Sequence, residues 1–539
     1  MLLQPDSQEP RLKPLAETID AHAARIPDAL AFAAGDDALT WRGYAQRSDA
    51  LAAALVRAGL ARGERVAVLL PDGPGVHVAF VATEKAGLVS VGIGPRAGEA
   101  EIRRLIARSG AVALVSRARH RDLDTRALVQ RLRAEGAPLR HHLVDERNFA
   151  LLTAPSDSER CALAERRLSV GDLFLLNSTS GTTGLPKCVQ HDQARWHHFH
   201  RLAVDAADLT ERDVFLSALP APFGFGIWTA HVTPALLGAP CVLLPQFDAA
   251  ELIAAIARHR VSVMAAVSTQ FILMLDALDR APGADLSSLR VLFTGGEAVP
   301  YPRAAAFEER TGARVLQFYG SNETGALSRT TLRDSRDVRL RTAGHVILEM
   351  QVRLFDGERR DVTAIGRGQP GCRGPLASAG YWDDEAANAQ LFTDDGWMLT
   401  GDIAEIDAGG VLRVVGRTAD IIIRGGKNIS APVVEEAVMS HPAVALAAAV
   451  PVPDPVFGER VCAVVELHPG AALALDALVA HLRARGVSVE SWPERLVVLD
   501  ELPRSSGGKI AKGALRELAA QQQASRSEPK ASEDHKEDA

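Results

Sequence analysis

Apolar positions recur at helical spacing in "SDALAAALVRAGL", where Leu51, Leu55 and Ala58 share one face and Gly59 stands ready to end the helix. A Gly-containing turn follows, and then an unbroken apolar run, Val66 to Leu70, that reads as a buried strand. The same alternation returns at "AVALVS" from Ala111 and continues past "RVLFTGGEAVP". Helices alternating with apolar strands predict an α/β fold, with helices covering mostly parallel sheets. From Gly416 onward the pattern becomes that of a smaller α+β unit. Its clearest helix is "ALDALVAHLRARG": Leu475, Leu478, Val479 and Leu482 form one face, Arg483 and Arg485 suit the C-terminal dipole, and Gly486 the stop. The expected division is therefore a large unit over 1–416, a small unit over 417–520, and a polar tail over 521–539 that lacks periodicity and is expected to be disordered. No internal repeat occurs.

Composition narrows the class. At 539 residues the chain has room for about three to four domain-sized units of roughly 150 residues. Its 47% hydrophobic and 24% charged residues are ordinary for a globular protein. The net charge is -7 and the basic residues are dispersed, which argues against a nucleic-acid surface. The five cysteines are far apart and include no CxxC pair, so reduced thiols are expected rather than a zinc site. The N-terminus has no apolar signal core, and no run of about 18 apolar residues spans a membrane. A cytoplasmic location is the expectation.

The chemistry concentrates in "NSTSGTTGLPKCVQH", from Asn177 to His191. A strand candidate, "DLFLLN", feeds a run of small residues whose backbone N–H groups can form an anion nest. Thr179, Ser180, Thr182 and Thr183 add hydroxyl donors. Gly181 and Gly184 permit close backbone approach, Pro186 stiffens the exit, and Lys187 supplies positive charge. This suits a polyphosphate, yet the spacing is not that of a Walker A loop. A plain Ser/Thr/Gly surface linker is the bland alternative for the loop taken alone.

The loop resembles the phosphate-binding signature of the adenylate-forming superfamily, which contains acyl-CoA synthetases, peptide-synthetase adenylation domains and luciferases. Other signatures follow in the family's order across roughly residues 15 to 517: "GGEAVP" from Gly295, "YGSNETG" from Tyr319, "GWMLTGD" ending at Asp402, "GRTADIIIRGGKNIS" from Gly416, and "PRSSGGKIAK" carrying Lys509. Six motifs in order leave little room for chance.

What the resemblance implies can be set against elementary chemistry. A carboxylic acid has a poor leaving group, and coupling to AMP gives a mixed anhydride that a thiol can attack. The protein must neutralise a triphosphate and bring a carboxylate against the α-phosphate despite like charge. The resemblance gives the β- and γ-phosphates to Thr179, Ser180, Gly181, Thr182, Thr183, Gly184 and Lys187, with Thr179 also acting in the reaction. It makes Glu323 the Mg²⁺ ligand, a hard oxygen for a hard cation. Gly295, Gly296, Glu297, Tyr319 and Gly320 surround the adenine, and Asn322 and Thr324 flank the metal ligand. Asp402 accepts the ribose hydroxyls, Arg417 reaches ribose or phosphate, and Lys509 bridges the carboxylate and α-phosphate. The small unit then swings to present Arg424, Gly425, Gly426 and Lys427 to CoA. For any one of these residues in isolation, a surface acid, a turn residue or a solvated charge is the simpler account. The motif order reverses that preference.

Two positions depart from the family pattern. Asn322 stands where Thr is usual; it can still donate to a phosphate oxygen. Ala419 stands at the hinge position, where Asp or Lys is usual, with Asp420 following. In "PAPFGFGIW", Phe223 replaces a frequent His, as in aryl-acid ligases of the family. Phe225, Gly226, Trp228 and Ser268, with Gly295 and Gly320, would complete a compact apolar acid pocket; core packing is the rival account of the aromatics. The implied activity is a carboxylic acid–CoA ligase for an alicyclic or aromatic acid, using ATP, Mg²⁺ and coenzyme A. Medium-chain fatty acids are the rival substrates. Loading of a separate carrier protein, a luciferase-like oxygenase and a non-catalytic nucleotide sensor are the rival activities. "PRSSGGK" also fits relatives acetylated at the lysine, which would make Lys509 a target of an acetyltransferase and deacetylase. A homodimer is compatible with all of this.

Overall fold

The computed structural model describes residues 12–178, 187–280, 283–296, 299–417, 420–424, 427–504 and 510–527. The chain divides into two units. Of the described residues, the large one holds those up to Thr400 together with Ala404–Val414, and the small one holds Gly401–Ile403, those of 415–504 and 510–527.

The large unit is built on two parallel-rich sheets and a smaller antiparallel one. The nine-stranded sheet has a parallel centre of strands Leu30–Ala34, Cys241–Leu243, Phe215–Ser217, Val263–Ala265, Val291–Gly295 and Arg314–Ser321, with antiparallel strands at its edges. The six-stranded sheet runs Cys188–Asp192, Leu173–Ser178, Val89–Gly92, Arg65–Leu69, Ala113–Ser116 and His141–Val144, parallel except at the first pair. The α/β expectation is met. Burial on both faces explains why these strands read as continuous apolar runs rather than alternating ones. The predicted helix is the C-terminal part of Trp41–Arg57, and its strand begins one residue early, at Arg65. Thr40 caps that helix by accepting the Gly43 N–H through its side chain. Gly59 follows it with φ 83°, a left-handed conformation that glycine adopts without strain.

The small unit has a five-stranded sheet formed by Lys427–Ser430, Ile421–Arg424, Gly458–Leu467, Val444–Asp454 and Arg495–Leu499. Helix Leu475–Ala484 buries Leu478 and Leu482 against it, while Leu475 and Val479 are half-buried. Two expectations differ from what is found. Asp402 falls with the small unit rather than the large one, and its Oδ1 accepts from Arg417 Nε of the same unit at 2.8 Å. The last helix, Lys512–Ser527, runs past residue 520 into the segment expected to be a disordered tail. Leu515 and Ala519 anchor it in the core, and the Ala/Gln run that follows has high helix propensity, so it extends a helix already nucleated.

Candidate active site

The glycine- and hydroxyl-rich run is the connection of a β-hairpin. Leu173–Ser178 leads into it, Cys188–Asp192 returns antiparallel, and Cys188 pairs with Ser178. Residues 179–186, and with them Thr179, Ser180, Gly181, Thr182, Thr183 and Gly184, lie outside the described residues. So do Glu297, Ala419, Gly425, Gly426 and Lys509.

Beneath the hairpin lies a hydrogen-bonded chain of polar side chains. Arg195 is 1% exposed. Its guanidinium donates to Leu376 O at 2.9 Å, to Asn322 O at 2.9 Å and to His191 Nδ1 at 2.8 Å. A guanidinium only donates, so His191 Nδ1 accepts, and the proton of the neutral ring sits on Nε2. That N–H donates to Asn177 Oδ1 at 2.8 Å. The Asn177 amide in turn donates to Pro222 O at 3.0 Å and to Asn322 Oδ1 at 3.5 Å. Asn177 and His191 meet because they are diagonal neighbours across the hairpin: Asn177 pairs with Val189, two residues before His191. Burial holds the His191 ring well below its usual range and lowers Arg195 to about 10.

This chain settles what Asn322 does in the fold. Its side-chain oxygen accepts the Gly224 N–H at 2.9 Å as well as the Asn177 amide, tying the turn before Glu323 to the segment 222–224. Thr324 is fully buried. Its hydroxyl accepts from Ser321 N at 3.0 Å and donates to Gly325 O at 3.0 Å, so it closes the turn and does not face outward as a ligand group would. Gly320 is needed here because a Cβ would run into the Gly325 carbonyl.

Glu323 stands on that turn, half-buried. Its main-chain carbonyl accepts from Ser378 N at 2.7 Å, and its Oε1 accepts from the Tyr381 hydroxyl at 2.7 Å. Burial first, and then the adjacent carboxylate, push the Tyr381 phenol well above its ordinary range. Lys187, the first described residue after the loop, places its ammonium 4.9 Å from the centre of the Tyr381 ring. Lys187, Tyr381 and Glu323 thus meet at the base of the hairpin. The sequence reading missed Tyr381, Arg195, His191 and Asn177. The strand period of two was the one available signal, since it puts Asn177 and His191 on one face of the hairpin.

The aromatic candidates are brought together in part. Trp228 is buried at the centre of Phe225 (5.6 Å between rings), Phe293 (5.1 Å), Phe318 (5.2 Å) and Phe199 (6.1 Å). Phe225 also packs on Leu219, Ala265 and Val267, beside the start of the helix Ser268–Leu278. Phe223 is half-buried at the entry to the helical segment from Gly224, and a Cβ on Gly226 would strike the Pro220 carbonyl. Gly295 ends its strand and Gly296 follows with φ 77°. Tyr319 packs on Ala343, Ala404 and Leu412.

In the small unit, Arg417 and Asp402 form the contact already described. Arg424, considered for CoA phosphates, pairs with Glu494 at 3.4 Å and is 18% exposed.

The AMP-binding enzyme family matches residues 19–382, and the AMP-binding enzyme C-terminal domain matches residues 433–509. The chain is an adenylate-forming, AMP-binding enzyme. Across 94% of both chains it is 32% identical to a Streptomyces salicylyl-CoA synthase / salicylate adenylyltransferase. It is 30% identical to the medium-chain fatty-acid–CoA ligase of Escherichia coli K12, over 93% of this chain and 90% of that one. The crystal structure of the anthranilate CoA ligase AuaEII in complex with anthranoyl-AMP superposes with a TM-score of 0.84 at 23% identity, over 97% of this chain and all of that one; at that identity the likeness is one of fold. The AMP-binding enzyme has no helix among its described residues that is long and apolar enough to cross a membrane.

Proposed function

We propose that this AMP-binding enzyme is a carboxylic acid–CoA ligase acting on a cyclic acid, aromatic or alicyclic. In the first step a carboxylate oxygen attacks the α-phosphorus of ATP, the bond to the β-phosphate oxygen breaks, and pyrophosphate leaves with that electron pair. In the second, the CoA sulfur attacks the acyl carbon, AMP leaves, and the thiol proton passes to solvent. The observation that carries the reading is the meeting of Lys187, Tyr381 and Glu323 at the base of a hairpin whose connection is rich in backbone and hydroxyl donors.

Lys187 and the loop 179–184 would hold the triphosphate. No group of three or more His, Cys, Asp or Glu side chains among the described residues suits a metal cage. A single hard carboxylate, Glu323, fits Mg²⁺ that arrives with a nucleotide and keeps waters and phosphate oxygens as its other ligands. Bound there, the metal would supply charge neutralisation for the phosphates. Asp402, oriented by Arg417, would take the ribose, and Lys509 would steady carboxylate and α-phosphate as they approach. Acetylation of Lys509 would remove that charge and stop adenylation.

The salicylate-activating relative favours a ring-shaped acid, whereas the rings around Trp228 pack on one another as core. The fatty-acid relative supports the rival, medium-chain substrates. A panel of benzoate, salicylate, cyclohexanecarboxylate, octanoate and acetate with ATP and Mg²⁺, with and without CoA, tests the proposal. AMP and thioester formed together from a cyclic acid is the expected result. Adenylate without thioester would move the enzyme to carrier-protein loading. Turnover of octanoate alone would overturn the cyclic substrate, and silence on every acid would favour a nucleotide sensor.

A further inference from the structure

Tyr381 lies within the matched residues 19–382 but in none of the six motifs quoted above, and it touches a residue in each of two of them. Its hydroxyl donates to Glu323 Oε1 at 2.7 Å, and its ring face receives the Lys187 ammonium at 4.9 Å. Among the described residues Lys187 forms no ion pair with a carboxylate, so its charge is held by a π face rather than neutralised. A cation parked on a ring can be drawn off by a polyphosphate at far lower cost than one locked to an acid.

The ring itself is held firmly. Tyr381 is 7% exposed. Its backbone N–H donates to Asn388 Oδ1 at 2.8 Å, and its carbonyl accepts from Asn388 Nδ2 at 2.9 Å. It bridges to Val189 on the returning hairpin strand, and the neighbouring Gly380 carbonyl accepts from Gln190 N at 3.0 Å. Arg195 adds a second tie by holding the carbonyls of Leu376 and Asn322 together, and Ser378 N bonds to Glu323 O. The segment 376–381 is thereby stitched to the turn that carries Glu323. A carboxylate on an unsupported turn would sample several rotamers, whereas one hydrogen-bonded to a locked phenol keeps one oxygen occupied and presents the other in a fixed direction.

We propose that Tyr381 is a positioning residue for the nucleotide-bound divalent cation. Its hydroxyl orients the Glu323 carboxylate toward the metal, and its ring keeps Lys187 in reserve beside the phosphate loop. The inference rests on the proposed role of Glu323.

Direct binding without turnover tests it. Mn²⁺ is titrated by electron paramagnetic resonance into full-length protein saturated with α,β-methylene-ATP, and affinity for that nucleotide is measured separately in EDTA. Tyr381→Phe keeps the ring and removes one oxygen, and its thermal midpoint serves as the check on folding. The expected result is a roughly tenfold weaker Mn²⁺ affinity, the lower end of what a hydrogen bond to a charged group contributes, with nucleotide affinity in EDTA unchanged. Tyr381→Leu also removes the ring and is expected to weaken both. In a Glu323→Gln background, Tyr381→Phe is expected to have little further effect. Wild-type Mn²⁺ affinity in Tyr381→Phe would overturn the proposal. Equal losses with and without metal would also overturn it, by reducing Tyr381 to a packing role. Wild-type protein that binds the nucleotide but takes up no Mn²⁺ would overturn both this proposal and the assignment of Glu323 as ligand. Adenylate formation in the acid panel is a separate readout and would still report on the reaction itself.

Discussion

Two clusters of buried charge, one in each unit, are built on opposite principles. In the small unit Asp420 is 12% exposed and bonds to Lys512 at 3.2 Å and to Arg516 at 3.0 Å, and Lys512 also meets Glu435 at 2.8 Å. Two cations face two carboxylates, and the cluster is self-compensated. In the large unit Arg195 is more deeply buried but is hydrogen-bonded only to two carbonyls and a neutral histidine. Each of its three nitrogens has a hydrogen-bond partner but none bonds to an acid, and burial lowers it to about 10 against the more distant pull of the Asp192 and Glu323 carboxylates. A self-compensated cluster can only hold structure together. A cation hydrogen-bonded to neutral groups also raises the positive potential around it, and this one bonds to the Asn322 carbonyl beside Glu323 and, through His191, to Asn177 in the strand leading to the loop 179–186. Asp420 is thereby tied to the last helix of its own unit.

Three changes would break or sharpen this contrast. The largest effect is expected from Arg195→Met. It removes the donors of three buried acceptors, Leu376 O, Asn322 O and His191 Nδ1, each worth about 1–3 kcal/mol when left unsatisfied, so urea unfolding should show a loss of about 4 kcal/mol. Arg195→Lys should recover part of it. A loss under about 1 kcal/mol would mean that the network adds little, on the same scale.

A fall in pH comes next. Burial holds His77 and His191 well below 6.5, His200 at about 4 and His231 at about 3, all in the large unit. On unfolding they bind protons that the folded state refuses, so their contribution is lost as pH falls below 6.5, at about 1.4 kcal/mol per pH unit for each until its folded value is reached. Asp72 and Glu84, raised by burial to about 7, run the other way, because the folded state takes up their protons first. The histidines outnumber them, and a net loss of about 2 kcal/mol is expected between pH 7.5 and 5.5. An unchanged urea midpoint over that range would show that the rings are solvated.

The smallest effect is expected from Asp420→Asn. Lys512 keeps Glu435, and the cluster is partly exposed, so a cost of about 1 kcal/mol is anticipated. Hydrogen exchange along Lys512–Ser527 should quicken by roughly fivefold for that cost. A larger effect than that of Arg195→Met would reverse the ranking of the two clusters.

Much of the architecture was legible in the chain, because hydrophobic periodicity reports local geometry directly. The helix ending before Gly59, the buried strand after it, and the helix that buries Leu478 and Leu482 all follow from spacing. The run past residue 520 was not legible. Its helicity comes from the packing of Leu515 and Ala519, after which polar residues of good propensity continue the turn without any apolar signal of their own. The order of the motifs likewise identified the family, since each needs only a short stretch of residue types.

The sequence by itself determined the α/β class and the adenylate-forming family, and it named the charged candidates. Only the tertiary structure decided how those side chains are spent. It turned the Asn322 oxygen toward Gly224 and Asn177, 98 and 145 residues away in the chain, buried the Thr324 hydroxyl within its own turn, and brought Tyr381 against Glu323 across 58 residues. Hydrogen bonds between side chains depend on distance and angle in space, and a pattern along the chain carries neither once the partners lie on different strands and turns.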